Sequence, residues 1–155
     1  MTTRPHLSLE GVGQPTAPGR FVDADAIEPV GFVEGLDFRP VLGEQTMVNF
    51  VSFRPRTEAP NHAHVEEQIV IVLEGELEFE IDGEVRTMRK GDVAVVPPWV
   101  PHGARTRAAP CLEVDVFNPP RETLLEHARA QQAMGVPADA ADPPGHGSAA
   151  DTARQ

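Results

Sequence analysis

From about residue 45 to residue 117 the chain is a series of short apolar runs broken by Gly, Pro and polar residues. TMVNFVSF (46–53), QIVIVL (68–73), ELEFEI (76–81), EVRTM (84–88), DVAVV (92–96), a segment after His102, and CLEVDVF (111–117) read as strands. IVIVL is apolar at every position, as suits a strand buried on both faces. The IDGE at 81–84 predicts a hairpin, because Asp-Gly fits the tight turn that matches strand twist. Gly75 and Gly91 predict two further turns. Short strands at regular spacing predict an all-β sandwich or barrel. One short C-terminal helix is expected within NPPRETLLEHARAQQAMG, with Asn118 as cap, Pro119 or Pro120 in the first turn and Gly135 at the end. Leu124, Leu125 and Ala128 form its apolar stripe, and His127 reads as a surface residue.

Composition bounds the rest. Residues 1–20 are rich in Pro, Gly and Thr and read as a flexible segment, and 135–155 read as a disordered tail. The folded unit is therefore expected over 21–134, with His6 and His146 outside it. At 155 residues, 40% hydrophobic and 24% charged, the chain has the profile of one globular domain. A net charge of -11 argues against nucleic acid and anionic membranes as partners. The longest apolar run is far short of a membrane span, and MTTRPHLSLEGVGQ lacks a signal-peptide core, so a cytoplasmic location is expected. The single Cys111, within a strand-like run, reads as a small buried apolar residue.

The chemistry concentrates in NHAHVEEQ at 61–68. Residues two apart on a strand share a face, so His62 and His64 project together. Gln68 has the same parity if the strand direction persists through Val65–Glu67. His102 follows a second strand and a Pro-rich bend. Three neutral imidazoles and one amide oxygen make an open site for a divalent metal, Zn, Ni, Mn, Fe or Co. Glu67 would replace Gln68 as ligand if the strand were bulged. With Gln68, no carboxylate neutralises the metal, which favours Lewis-acid chemistry over oxygen activation.

Taken together, the two segments resemble the cupins over about residues 45–121. The first cupin motif is Gly, five residues, HxH, three or four residues, Glu, six residues, Gly. His62, His64 and Gly75 match it, while Arg56 replaces the first Gly and Gln68 the Glu. Gly91, Pro97 and His102 match the second motif, in which Trp99 replaces a Gly and Thr106 an Asn. The resemblance implies a cupin-type jelly-roll barrel with the metal inside its mouth, and a homodimer.

Downstream, Asp115 and Phe117 share the strand face opposite Val114 and Val116, and Arg121 follows. Asp115 either pairs structurally with Arg121 or faces inward, where burial and a cation would tune it for proton transfer. Arg121 would then clamp a substrate carboxylate. Asp-x-Phe-x-x-x-Arg after HxHxxxQ is similar to the small cupins of pectin and alginate breakdown, which convert 4,5-unsaturated uronates into linear ketonized sugars. That likeness implies His62, His64, Gln68 and His102 as metal ligands, with Asp115, Phe117 and Arg121 lining the reaction pocket. The expected function is non-redox proton-transfer chemistry on a small carbonyl- or enol-bearing acid. A polyketide cyclase, an Fe(II)-dependent dioxygenase and a non-catalytic ligand-binding cupin are the alternatives.

Overall fold

The computed structural model describes residues 13–133. Within them the chain forms β1 (Val30–Val33), β2 (Leu36–Leu42), β3 (Met47–Phe53), β4 (Glu58–His62) and β5 (Glu67–Ile81). There follow β6 (Glu84–Arg89), β7 (Val93–Val96), β8 (His102–Arg105), β9 (Cys111–Asn118) and a helix, α1 (Glu122–Ala133). Every strand pairing is antiparallel. The first half of β5 pairs with β9 and β7, and its second half with β8 and β6. One side of the barrel thus runs β1-β2-β3-β9-β5-β7 and the other β4-β8-β5-β6, a cupin-type jelly roll joined through β5.

Gly75 is what lets β5 serve both sides. A turn is expected there, but the strand runs straight through it, with a register shift between Val72 and Glu74. Gly75 has φ 79°, and a Cβ on it would lie 2.1 Å from the carbonyl oxygen of Pro110. Close backbone approach, rather than chain reversal, explains this glycine. Gly91 and Asp82-Gly83 do form turns.

The alternation in MVNFVSF turns Met47, Asn49, Val51 and Phe53 inward. With Val70, Val72, Leu77 and Phe79 of β5 they fill the interior. Full burial of each such apolar side chain stabilises the fold by about 1.5–3 kcal/mol. β1, β2 and β4 lie outside the strands that the apolar pattern predicts. β2 and β4 contain Pro40 and Pro60, which lower the strand signal, and β4 has no large apolar residue. Pro60 sits on edge strand β4, at a register shift against β8, and Pro40 lies beyond the last β1 partner on β2.

Two details of the C-terminal segment differ from expectation. Asn118 does not cap the helix: it closes β9 opposite Glu67, its amide donates to the Gln45 carbonyl (3.1 Å), and its bond to Pro119 is cis. The helix starts later, at Glu122, and the expected end at Gly135 lies outside the described residues, as do His6, His146 and the 135–155 tail. His127 is not a plain surface residue. Its Nε2 lies 2.9 Å from the Gly31 carbonyl and its ring is edge-on to Phe32, while Leu124 and Ala128 join the core. Cys111 is buried as expected, and burial pushes its thiol up to about 12. Among the described residues, no helix is long and apolar enough to cross a membrane.

Candidate metal centre

Four chain segments bring the polar residues together. His62 ends β4 and pairs directly with His102, which opens β8. His64 lies in the bend between β4 and β5, where its carbonyl accepts from the Trp99 backbone N–H at 2.8 Å. Gln68 is the second residue of β5. The strand therefore does not persist from His62 to Gln68, and the pleat on which the parity argument relies is broken at residues 63–66. A bend, not a continuous pleat, turns His64 toward the others. Ring centroids stand 5.5 Å (His62–His64), 4.4 Å (His62–His102) and 4.9 Å (His64–His102) apart. One ligand atom from each ring falls within 4.8 Å of the other two.

Each imidazole is anchored from behind. Nδ1 of His62 lies 2.7 Å from the Pro60 carbonyl, that of His64 3.0 Å from the Glu66 carbonyl, and that of His102 2.9 Å from the Val100 carbonyl. A carbonyl only accepts, so each Nδ1 carries the proton and each Nε2 presents a lone pair. The buried Glu66 adds its carboxylate Oε2 at 3.2 Å from His64 Nδ1. Sequence reasoning passed over Glu66, although it shares the parity of His62, His64 and Gln68. Burial holds all three imidazoles below their ordinary range, His102 at about 4. They are neutral at physiological pH.

The amide oxygen of Gln68 lies 3.1 Å from His64 Nε2 and 3.0 Å from His102 Nε2. With the protons on Nδ1, these are acceptors facing an acceptor, a buried arrangement with no donor between them. A cation resolves it, and three imidazole nitrogens with one neutral oxygen suit a borderline divalent metal. His62, His64, Gln68 and His102 therefore fit the implied ion. Glu67 is exposed and faces away, so it does not stand in for Gln68.

Behind the histidines stands β9, whose inward face carries Glu113, Asp115 and Phe117. Gln68 Nε2 donates to Asp115 Oδ1 at 2.7 Å. Burial raises Asp115 to about 7, against the opposing pull of that hydrogen bond and of Arg121. The structural pairing of Asp115 with Arg121 is not found: no ion pair joins them, and Gln68 is the partner. Phe117 is 1% exposed, with its ring 5.7 Å from that of His64 and the Arg121 guanidinium 5.7 Å from its centroid. Arg121 is half-buried, and its Nε is buried without a partner. A cavity of about 50 Å³ is lined on its polar side by His62, Gln68, His102, Asp115, Arg121 and Glu113. Its apolar wall includes Leu36, Phe38, Val51, Phe53 and Phe79. Glu113, also passed over, shares Asp115's strand parity. A larger groove of about 470 Å³ along β6 and β7 contains no histidine. Trp99 is exposed and lines neither.

Residues 49–117 match the family model for a cupin domain, a span holding His62, His64, Gln68, His102, Glu113, Asp115 and Phe117 but not Arg121. No curated protein matches the sequence. An RmlC-like cupin from Shewanella frigidimarina is 29% identical, with a TM-score of 0.64 over 69% of this chain and 96% of that one. KdgF from Halomonas sp. is 28% identical, with a TM-score of 0.65 over 69% of this chain and 99% of that one. The polyketide cyclase RemF from Streptomyces resistomycificus, 18% identical, shares the fold over 65% of this chain and 80% of that one (TM-score 0.60). The chain thus carries a cupin-type jelly roll whose His62, His64 and His102 form a cluster compatible with a divalent metal.

Proposed function

We propose that the protein is a metal-dependent enzyme of non-redox proton-transfer chemistry, a lyase or isomerase acting on a small carbonyl- or enol-bearing acid. Linearisation of a 4,5-unsaturated uronate is the concrete reaction. The observation that carries this reading is Gln68, whose amide oxygen faces the histidines while its amide nitrogen holds Asp115. A bound divalent metal would supply Lewis-acid polarisation of a substrate oxygen, undiminished by an anionic ligand.

The chain's own residues account for the proton movements. Ring opening of the unsaturated uronate is an isomerisation. The O1 hydroxyl loses its proton, the bond from C1 to the ring oxygen breaks, and C4 gains a proton as C5 becomes a ketone. One acid–base group serves both transfers, and Asp115, raised to about 7, gives and takes a proton near neutrality. The Arg121 Nε–H, buried without a partner, is free for the substrate carboxylate. At about 50 Å³ the cavity admits the reacting end of a sugar acid rather than the whole molecule. The likeness to KdgF supports this choice of substrate. A polyketide-type cyclisation is the second reading, supported by the apolar wall of Leu36, Phe38 and Phe53.

Metal-loaded protein is expected to consume 4,5-unsaturated galacturonate, read as loss of the ultraviolet absorbance of its conjugated double bond, without oxygen uptake. Asp115→Asn should lower kcat by about 10²–10⁴-fold with metal content unchanged. Oxygen uptake coupled to turnover would replace this reading with a dioxygenase. An Asp115→Asn protein that binds ligand as before, with no wild-type activity to lose, would indicate a binding protein.

A further inference from the structure

The chemistry above leaves Glu113 unused. It sits two residues before Asp115 on the inward face of β9, opposite Val51 of β3 and Val72 of β5. It is 3% exposed and lines the cavity, and its Oε2 is buried with no hydrogen-bond partner among the described residues. Its register partner Val51 lines the same cavity, as do Leu36, Phe38, Phe53 and Phe79, and none of these five offers a polar side-chain atom. An orphaned polar atom of this kind is rare in folded proteins, and it concentrates at functional positions. Burial first, and then the neighbouring Asp115, pushes the Glu113 carboxyl well above its usual range. A neutral carboxyl both donates and accepts a hydrogen bond. Arg121, by contrast, lines the cavity as its cation and suits an anionic group.

We propose that Glu113 is a specificity-determining residue, which hydrogen-bonds an uncharged hydroxyl or carbonyl oxygen of the substrate in the cavity while Arg121 takes the carboxylate. The assignment rests on the enzymatic reading above. It makes the pocket selective against analogues bearing hydrogen or methyl at that position, because Glu113 would then stay buried and unpartnered.

The test compares Glu113→Gln and Glu113→Leu in the full-length, metal-loaded protein, using 4,5-unsaturated galacturonate as substrate and thermal melting to verify folding. Loss of the hydrogen bond in Glu113→Leu should lower kcat/KM by about tenfold or more, chiefly through KM, while Glu113→Gln stays within about threefold. Wild-type kcat/KM in Glu113→Leu, or a Glu113→Gln as impaired as the leucine variant, overturns the assignment. Should the wild type not turn over this substrate, the enzymatic reading fails and Glu113 is tested separately by infrared spectroscopy. Subtracting Glu113→Gln from wild type isolates the carboxylic-acid C=O band of Glu113. Pyruvate, D-lactate and D-galacturonate are then added in turn. A downshift with at least one of them upholds the hydrogen-bonding role, and a band unmoved by all three overturns it. That measurement needs no leucine variant, so it stands even if Glu113→Leu does not fold.

Discussion

The two polar walls of the barrel interior are built on opposite principles. On the histidine wall every ring has a partner behind it: the Pro60, Glu66 and Val100 carbonyls fix the three Nδ1 atoms, and the Glu66 carboxylate reinforces His64. On the β9 wall Asp115 is held by Gln68, but other polar groups are left open. Glu113 Oε2 and Arg121 Nε have no partner, and neither side-chain atom of Asn49, which faces Asp115 across β3 and β9, has one. Anchored groups hold their geometry whether or not anything is bound. A polar group buried without a partner carries a cost of about 1–3 kcal/mol. On the proposed function the first wall is a prearranged metal cradle, and the second is the side where substrate lands. Gln68 bridges the two, with its oxygen on one and its nitrogen on the other.

Removing a ligand breaks the contrast most severely. His102→Ala should weaken Zn or Ni binding by at least about a hundredfold, read by competition with a chromogenic chelator. Unchanged affinity would mean that the cluster does not hold the ion. Glu66→Gln keeps the side-chain volume and removes only the carboxylate behind His64, so a loss of about tenfold is expected. If Glu66→Gln matched His102→Ala, Glu66 would be a ligand itself rather than a support.

How much of this was legible in the chain depended on the kind of signal. From Met47 onward the strands with large apolar residues were readable from their texture, and the histidines from their spacing, whereas β1 and β2 were not, although Val30, Leu36 and Phe38 join the core. β4 was not, because EAPNH is held in place by the β8 ladder rather than by apolar residues of its own. Arg56 and Trp99 stand where the cupin motifs have glycine, which reads as weakened turns. The backbone nonetheless keeps the left-handed conformation at both, with φ 57° and 66°. The turn geometry survives, with the strain of a non-glycine residue accepted in its place. At Gly75 a glycine between two strand-like runs signals a turn, whereas its reason, the Pro110 carbonyl, lies 35 residues along the chain. Glu66 and Glu113 share the strand parity that singled out Gln68 and Asp115. What the sequence did not disclose is that His64 stands in a bend and that Glu113 has no partner, since both depend on how separate strands meet.

The smallest expected effect is on stability, and it follows from the open wall. Glu113 has a folded-state pKa raised above its ordinary 4.5, so between that value and the raised one the native state binds more protons than the unfolded chain. Stability from this group is complete below the ordinary value and declines as pH rises. Asp115 acts in the same direction between its ordinary 3.8 and about 7. Glu113→Gln removes the first contribution and leaves the second. Its melting midpoint should exceed the wild type's by about 2–4 °C at pH 8, with the excess vanishing toward pH 4. Differences taken at each pH cancel the loss of metal that both proteins suffer as the imidazoles protonate. If the excess were the same at pH 4 and pH 8, the Glu113 carboxyl would not be titrating abnormally. The β9 wall would then have a partner for it, and the contrast with the histidine wall would fail at that residue.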